Sequence, residues 1–343
     1  MEKEISVVIP CYNASSYIDK CIQSLLNQTF GLDKMELIFV NDASEDNTWE
    51  ILQTYEKQYS DSMVLINLPE NSRQGTARNI GMQYAQGRYL GFCDSDDYIE
   101  PDMYEYLYEC MLHTDADYVA CQICVEKEGE LLAINGPKTD GILELEKEEY
   151  KNTICNMEVN ASIVQCLFKR EFIEKVNVLF PEKLTYEDNF FRGILNYYVK
   201  TIGLVEKPLY HYVMHPESTI HASNASHHLD RLKIEVMKLE ELKRRGLFEA
   251  YKEDIEAQFV LLYFANTINI LMTRYDEIPE GIILDMQKTV KKYFPNWSEN
   301  ILLKHYVDQN QKILCMLIDF PFIKGDKEEV AKAMRFIGGK CLE

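Results

Sequence analysis

Positive charge and long apolar runs are both scarce in this chain of 343 residues. Asp and Glu number 56 against 36 Lys and Arg, a formal net charge of −20. Nucleic-acid-binding proteins normally present a basic face, so this charge disfavours DNA or RNA as the main partner. It would also repel an anionic membrane surface. The longest apolar candidate, residues 259–272, is interrupted by polar residues, so we predict no membrane-spanning helix.

The chain also lacks the marks of export and of a disulfide or metal framework. Residues 1–10 do not resemble a secretory signal, and the ten cysteines show no compact spacing. We therefore expect reduced thiols in a soluble, cytoplasmic protein. The one C-x-x-C pair, Cys121 and Cys124, falls in a predicted strand, where its members would point to opposite faces. This placement disfavours a zinc or redox centre there.

Strands and helices alternate over the first 120 residues. Continuous β-branched and apolar runs predict strands at 5–9, 37–40, 63–68, 89–93 and 117–124, the first two of them buried. Helical spacing between them predicts helices near 18–26, 49–55, 76–85 and 101–112. This alternation predicts a mostly parallel central sheet flanked by helices, in the α/β class. Ligands bind beyond the carboxyl ends of such strands, so we expect the polar segments 10–13, 41–46 and 94–97 to meet in one crevice.

The pattern changes after residue 125. We predict a hairpin or loops over 125–145, a helix at 146–157 and a strand at 162–168. A helix over 187–199 and a strand over 202–205 follow. From residue 226 onward the spacing is helical. The predicted domains are therefore 1–222, of mixed α/β structure, and 223–343, a helical region whose role stays open.

An acidic segment, Asp94-Ser-Asp96-Asp97, follows the fourth predicted strand. Carboxylates so close together repel one another unless a cation joins them. Hard divalent ions take oxygen ligands and commonly bridge to substrate phosphates. The segment therefore suits a metal–diphosphate site. The alternative is a solvated acidic turn ahead of the helix that opens at Pro101.

Two other segments suit nucleotide recognition. Asp42 ends the second strand and could accept a hydrogen bond from a base N–H or a ribose hydroxyl, unless it only forms an Asx turn. Residues 71–81 open a helix, and Arg78 within them suits phosphate or ribose; the alternative is a glycine-bearing surface loop. The segment has neither the Gly-Lys-Ser/Thr of a Walker loop nor a G-x-G-x-x-G fingerprint.

Two candidates remain for catalysis and for a further metal or phosphate contact. Glu187 and Asp188 start a predicted helix, where carboxylates are electrostatically favoured in any case. If they face the crevice, they are candidates for the general base that activates a hydroxyl. His215 is either a metal or phosphate partner or an ordinary surface or core histidine.

Five segments together resemble the family 2 glycosyltransferases of the GT-A fold. They are Ser6-Val-Val-Ile-Pro-Cys-Tyr-Asn13, Phe39-Val-Asn-Asp-Ala-Ser44, Asn71-x-x-x-Gly-Thr-Ala-Arg-Asn79, Gly91-Phe-Cys-Asp-Ser-Asp-Asp97 with Pro101, and Tyr186-Glu-Asp-Asn-Phe190. The resemblance covers about residues 4–220, and nothing specific is found in the helical remainder. Asn41 and Ala43 depart from the Asp and Gly that are commoner in the second segment.

The resemblance implies a nucleoside-diphosphate sugar donor, usually a UDP-sugar, and inversion at the anomeric carbon. Pro10 and Tyr12 would line the base, and Asp42 would hold the uracil or its ribose. The other nucleotide contacts would come from Asn71 and Arg78.

The same resemblance implies the metal and the base. Asp94 would contact ribose and metal, and Asp96 would ligate Mn²⁺ or Mg²⁺ directly. Asp188 matches the catalytic base, with Glu187 beside it orienting donor or acceptor. His215 and Ser218 match a segment that closes over the diphosphate, His215 as a further metal contact.

The expected function is metal-dependent sugar transfer to a hydroxyl on a glycan or lipid-linked acceptor, in surface polysaccharide or glycolipid synthesis at the inner membrane face. The alternatives are a nucleotide-sugar sensor or scaffold and a phosphohydrolase. A haloacid-dehalogenase-type pair belongs to the first strand, however, whereas Asp94 and Asp96 follow the fourth. A nucleotidyltransferase would carry a glycine-rich basic loop after strand one, which Pro10–Asn13 is not. The C-terminal helices could shape the acceptor site, bind a partner or form a homo-oligomer.

Overall fold

The computed structural model describes residues 3–160, 162–215 and 222–340. The chain divides into two compact units, Met1–His215 and Pro216–Glu343. The boundary predicted near residue 222 lies close to this division. The mixed α/β class with a helical C-terminal region is confirmed, while the roles assigned to the two parts remain predictions.

The described part of the first unit contains one sheet of mixed direction. Its strands are β1 (Ile5–Cys11), β2 (Met35–Asn41), β3 (Met63–Asn67), β4 (Tyr89–Phe92), β5 (Tyr98–Ile99), β6 (Tyr118–Lys127), β7 (Glu130–Asn135), β8 (Gly141–Glu144), β9 (Cys166–Lys169) and β10 (Thr201–Met214). They lie in the order β3-β2-β1-β4-β9-β6-β10-β5, with β7 on β6 and β8 on β10. The first four pair in parallel, as predicted. Strand β9 runs antiparallel between β4 and β6, so parallel pairing is confined to part of the sheet.

Helices in this unit cover the predicted crossovers. They are α1 (Ile18–Leu26), α2 (Thr48–Tyr59), α3 (Arg73–Tyr84), α4 (Met103–Thr114), α5 (Lys151–Ile154), α6 (Arg170–Val176) and α7 (Glu187–Leu195). Pro101 was expected in the first turn of α4, but that helix begins at Met103, with Asp102 at the N-cap. Helix α7 ends at Leu195 rather than near 199, and α6 was not predicted.

Two strands are longer than predicted, and each continues through a proline. Strand β1 continues through Pro10 to Cys11, where it still pairs with β2. The backbone groups of alternate residues in β1 point toward β4, and Pro10 is one of these residues. The pairing with β4 ends at Val8, so the sheet loses no hydrogen bond through the missing N–H of Pro10. Strand β10 extends to Met214 instead of ending at 205, because its pairing with β6 shifts register around Pro208 and then resumes.

The described part of the second unit is helical, as predicted. Its α-helices are α8 (Asp230–Arg244), α9 (Lys252–Phe259), α10 (Asn266–Arg274), α11 (Ile282–Tyr293), α12 (Ile301–His305), α13 (Gln309–Met316) and α14 (Lys327–Lys340). A π-helical stretch, Val260–Ala265, joins α9 to α10. The combined helix Lys252–Arg274 has the length and composition of a membrane span, but 67% of its most apolar window is buried, as in the core helix of a globular protein.

Candidate active site

The three polar segments at the ends of β1, β2 and β4 meet, as the topology predicted. The Asp42 backbone N–H donates to the Cys11 carbonyl at 2.8 Å, joining the first two segments. Cys93, directly before Asp94, donates its backbone N–H to the Val8 carbonyl of β1 at 3.1 Å, which places the third segment beside the end of β1. The carboxyl edge of the parallel strands thus forms one site.

Asp42 lies beneath the start of α3. The residue is 2% exposed, and its Oδ1 accepts the Ser72 backbone N–H at 2.7 Å. Burial raises the pKa of this carboxyl. The Asn71 side chain donates to the Asp42 carbonyl at 3.4 Å. Asp42 and Asn71, both assigned to the nucleotide by resemblance, therefore stand together at one end of the site.

The two ring residues assigned to the base differ in exposure. Pro10 is buried within β1, whereas the Tyr12 ring is 46% exposed. An exposed aromatic face next to the strand end is available to stack on a planar ligand. Their role in binding a base remains a prediction.

The acidic segment after β4 contains two kinds of carboxylate. Asp97 is 2% exposed; its Oδ2 accepts the Tyr210 hydroxyl at 2.7 Å and its Oδ1 accepts the Val213 N–H at 2.8 Å. Asp97 therefore connects the acidic segment to β10 through hydrogen bonds. Asp96 is partly exposed, and within the described residues its carboxylate bonds to no other residue. Burial and the neighbouring Asp94 raise the pKa of Asp96 to about 6.

Arg78 joins this segment to the start of α7. Its guanidinium is 3% exposed and pairs with Asp94 Oδ1 at 2.6 Å and with Glu187 Oε1. These carboxylates raise the pKa of Arg78 although burial opposes the shift. Arg78 was assigned to the nucleotide; the structure shows it bound to two protein carboxylates.

The two carboxylates at the start of α7 have different surroundings. Glu187 is buried against Arg78, and burial, together with Asp188, raises its pKa to about 7. Asp188 is partly exposed and forms no hydrogen bond to any other residue of the described ranges. Tyr186, just before them, has a left-handed backbone with φ 68°, which turns the chain into the helix. Of these two carboxylates only Glu187 is held by an ion pair to another described residue, and the role of Asp188 as the base remains a prediction.

His215 lies beside the acidic segment. Its Nε2 is 3.3 Å from the carbonyl oxygen of Asp96, and its ring is 4.0 Å from that of Tyr17. The contact is with the backbone of Asp96, so a metal role for the ring stays a prediction. Ser218, assigned to the diphosphate, lies outside the described residues.

Sequence reasoning missed three residues that shape this site. Asn79 bonds to the backbone of Phe180, Gly75 lies against Pro181 and Glu187, and Tyr210 binds Asp97. Gly75 and Asn79 belong to a segment that the family resemblance contains, so a signal existed for them. Tyr210 is 113 positions from Asp97, and no local pattern links the two.

Comparison with known proteins places the chain in a family. The family model described as "Glycosyl transferase family 2" matches residues 6–176. "Putative glycosyltransferase EpsH" of Bacillus subtilis (strain 168) is 30% identical over 263 residues, covering 75% of this chain and 74% of that protein. The chain belongs to glycosyltransferase family 2. It is therefore a glycosyltransferase.

Two further likenesses are to a second transferase and to a solved structure. The "Poly(ribitol-phosphate) beta-glucosyltransferase" of Bacillus spizizenii is 31% identical over 204 residues, which are 57% of this chain and 30% of that protein. The crystal structure of S. aureus TarS 1–349 with UDP-GlcNAc superposes with a TM-score of 0.71 at 19% identity, covering 98% of this chain and 91% of that one. The second likeness confirms the GT-A fold of this family 2 enzyme.

Proposed function

We propose that this family 2 glycosyltransferase moves a sugar from a UDP-sugar to a hydroxyl acceptor, with inversion and with the help of a divalent cation. One observation carries the proposal. Arg78 bonds to both Asp94 and Glu187, so the acidic strand end and the start of α7 lie within one side chain of each other. A donor diphosphate at the first and a base at the second would therefore face the same anomeric carbon.

The residues present fit a hard divalent cation. Among the described residues no group of three or more His, Cys, Asp and Glu side chains is arranged to enclose a metal. Asp96 offers unbonded carboxylate oxygens beside Asp94, and Mg²⁺ or Mn²⁺ bound by one or two carboxylates fills its remaining positions with water and phosphate oxygens. A cation there would offset the repulsion from Asp94, which adds to the effect of burial in raising the pKa of Asp96. When bound, it would offset negative charge on the departing diphosphate.

The protein's own part in the reaction is binding and proton transfer. Asp42, Asn71 and the Tyr12 ring would hold the nucleotide at one end of the site. Asp188 would take the proton of the acceptor hydroxyl as that oxygen attacks the anomeric carbon. Attack from the face opposite the leaving UDP inverts the configuration.

The names of similar proteins support the proposed donor and acceptor classes. TarS was crystallised with UDP-GlcNAc and with UDP, and one relative is named for glucosylation of poly(ribitol phosphate). A UDP-hexose donor and a cell-surface polymer or its lipid-linked precursor are therefore proposed. Sugar transfer would take place on the cytoplasmic side of the membrane, with the enzyme at its inner face.

A thermal-shift screen of nucleotide sugars with and without Mn²⁺ tests the binding step. A ligand at about 100 times its dissociation constant stabilises the fold by roughly 2.7 kcal/mol, so the matching nucleotide raises the Tm. UDP-sugars should do so chiefly in the presence of the metal. A shift given equally by all nucleotides, or by none, contradicts a UDP-sugar site.

Transfer itself is tested with the donor that the screen selects and a panel of hydroxyl acceptors. The anomeric configuration of the product, read by NMR, should be opposite to that of the donor. Retention would contradict direct displacement. Binding without transfer to any acceptor would instead favour a sensor or scaffold, and phosphate release from simple esters would favour a phosphohydrolase.

A further inference from the structure

One face of α3 holds the chain segment that leads into α7. Gly75, Arg78 and Asn79 stand at positions i, i+3 and i+4 of the helix, so they share one side of it; we call them the α3 seat. The Asn79 amide donates to the Phe180 carbonyl at 2.8 Å, and its oxygen accepts the Phe180 N–H at 2.9 Å. Arg78 pairs with Glu187. The segment from Phe180 to Glu187 is thus fixed to α3 at both ends.

Gly75 allows this segment to approach the helix closely. A Cβ at position 75 would stand well inside van der Waals distance of the Pro181 carbonyl oxygen and 3.1 Å from Glu187 Cγ. The first of these atoms is backbone and cannot rotate away as a side chain would. Any residue larger than glycine must therefore push the segment off α3.

Aromatic packing connects the segment held by α3 to helix α7. Phe180 is 2% exposed and stacks on Phe191 of α7, with ring centroids 4.0 Å apart. It also meets Phe92 of β4 edge to face at 5.6 Å. The two Asn79 bonds thus fix a ring that packs on both the base-bearing helix and the strand that carries the acidic segment.

We infer that the α3 seat positions Asp188 for removing the acceptor proton, with Gly75 and Asn79 as positioning residues. The inference rests on the proposed function, in which Asp188 is the base. Asp188 makes no hydrogen bond to other described residues, so its direction depends on where the start of α7 is held. Residues 71–81 therefore have two roles: Asn71 binds the nucleotide, and the α3 seat positions the base Asp188.

A pair of matched substitutions on one helix tests this role. In Gly75→Ala the new methyl group meets the segment held by the seat. In Gly81→Ala it meets the Val8 side chain instead, well inside van der Waals distance of Cγ1 and 3.1 Å from Cγ2, so both variants carry a close contact but only the first is at the seat. A misplacement of about 1 Å can cost a hundredfold in rate, so kcat of Gly75→Ala should fall at least tenfold, by that estimate. Asn79→Ala should follow the same pattern, because the Phe180 backbone loses both partners.

The split between binding and turnover separates positioning from mere instability. At a temperature well below the Tm of every variant, the Kd for UDP of the seat variants should stay within about threefold of wild type while kcat falls. Gly81→Ala should lower the Tm but leave kcat within about threefold. Wild-type kcat in both seat variants, or an equal loss of kcat in Gly81→Ala, would overturn the inference.

Hydrogen exchange tests the seat independently of activity. Peptides covering residues 178–195 should exchange faster in Gly75→Ala and Asn79→Ala than in wild type, with no such change in Gly81→Ala. Unchanged exchange would reject the seat even in an active enzyme. If the wild type transfers no sugar from any nucleotide donor, the proposed function and the catalytic part of this inference both fail, while the exchange result still decides whether α3 holds α7.

Discussion

Arg78 of α3 and Glu187 of α7 form an ion pair in the interior of the first unit, with side chains 3% and 5% exposed. A buried pair of this kind is weak evidence of stabilisation, because removing two charges from water costs about as much as their attraction returns. Its geometry is informative all the same. Arg78 also binds Asp94, so one cation couples the acidic strand end to the helix that carries the candidate base.

Replacing Glu187 by Gln should change how stability depends on pH. The pKa of Glu187 is raised from 4.5 to about 7, so the folded state holds a proton that the unfolded state has released. The stability that Glu187 contributes is therefore present below pH 4.5 and is lost as the pH rises through about 7. The unfolding free energy of wild type minus that of Glu187→Gln should fall by up to about 2 kcal/mol between pH 5.5 and 7.

Glu70→Gln is the control for this titration. Glu70 forms an exposed pair with Lys183, which lowers its pKa, so it stays charged throughout the measured range. Denaturant titrations of Glu70→Gln should give a constant difference from wild type. A constant difference for Glu187→Gln as well would show that Arg78 keeps Glu187 ionised.

Asp188→Asn should slow transfer strongly and leave the donor site intact. The substitution keeps size and removes only the charge of a carboxylate that bonds to no other described residue. A positioned base contributes about 10²- to 10⁴-fold to rate, and kcat should fall by that range while the affinity for UDP, measured by calorimetry, is kept. Turnover equal to wild type would reject Asp188 as the base.

Asp96→Ala and Asp97→Asn should have contrasting effects although the two residues are adjacent. Asp96 has unbonded oxygens, so its loss should weaken UDP binding in Mn²⁺ and change nothing in chelator. Asp97 is bonded to Tyr210 and Val213, so its change should cost about 1–3 kcal/mol of stability with or without metal. Loss of UDP affinity in chelator by Asp96→Ala would assign that residue to the fold instead.

This contrast shows where sequence reasoning reaches its limit. Asp94, Asp96 and Asp97 are one residue type in one short turn, and their surroundings differ through Arg78, 16 positions from Asp94, and Tyr210, 113 positions from Asp97. The apolar runs that predicted β1 to β4 are local features, and all four segments form strands.

The direction and length of the later strands could not be predicted from local sequence. Nothing in residues 166–169 encodes that β9 pairs antiparallel with β4 and β6, because direction depends on how the chain returns to the sheet. The extension of β10 beyond Pro208 likewise depends on its neighbour β6. The α3 seat belongs with these, since Gly75 and Asn79 acquire their roles from a segment a hundred positions away.

Ala43→Gly should stabilise the protein, although it removes a methyl group. Ala43 follows Asp42 with φ 56°, in the left-handed region that costs a non-glycine residue about 1–2 kcal/mol. Glycine relieves this strain but loses more entropy on folding, by about 0.4–1 kcal/mol. The net gain in unfolding free energy should be about 0.5–1 kcal/mol. Chemical denaturation of both forms measures it.

The control is an alanine with ordinary backbone geometry, where the same substitution should change the unfolding free energy in the opposite direction. Ala133 is exposed in β7, and Ala133→Gly should lower the unfolding free energy by about 0.5–1 kcal/mol, because glycine weakens a strand interior. If Ala43→Gly also destabilises, the methyl group of Ala43 contributes more through packing than its backbone strain costs. If it stabilises, the glycine commoner at this turn in the family is explained by the positive φ that the Asp42 turn requires.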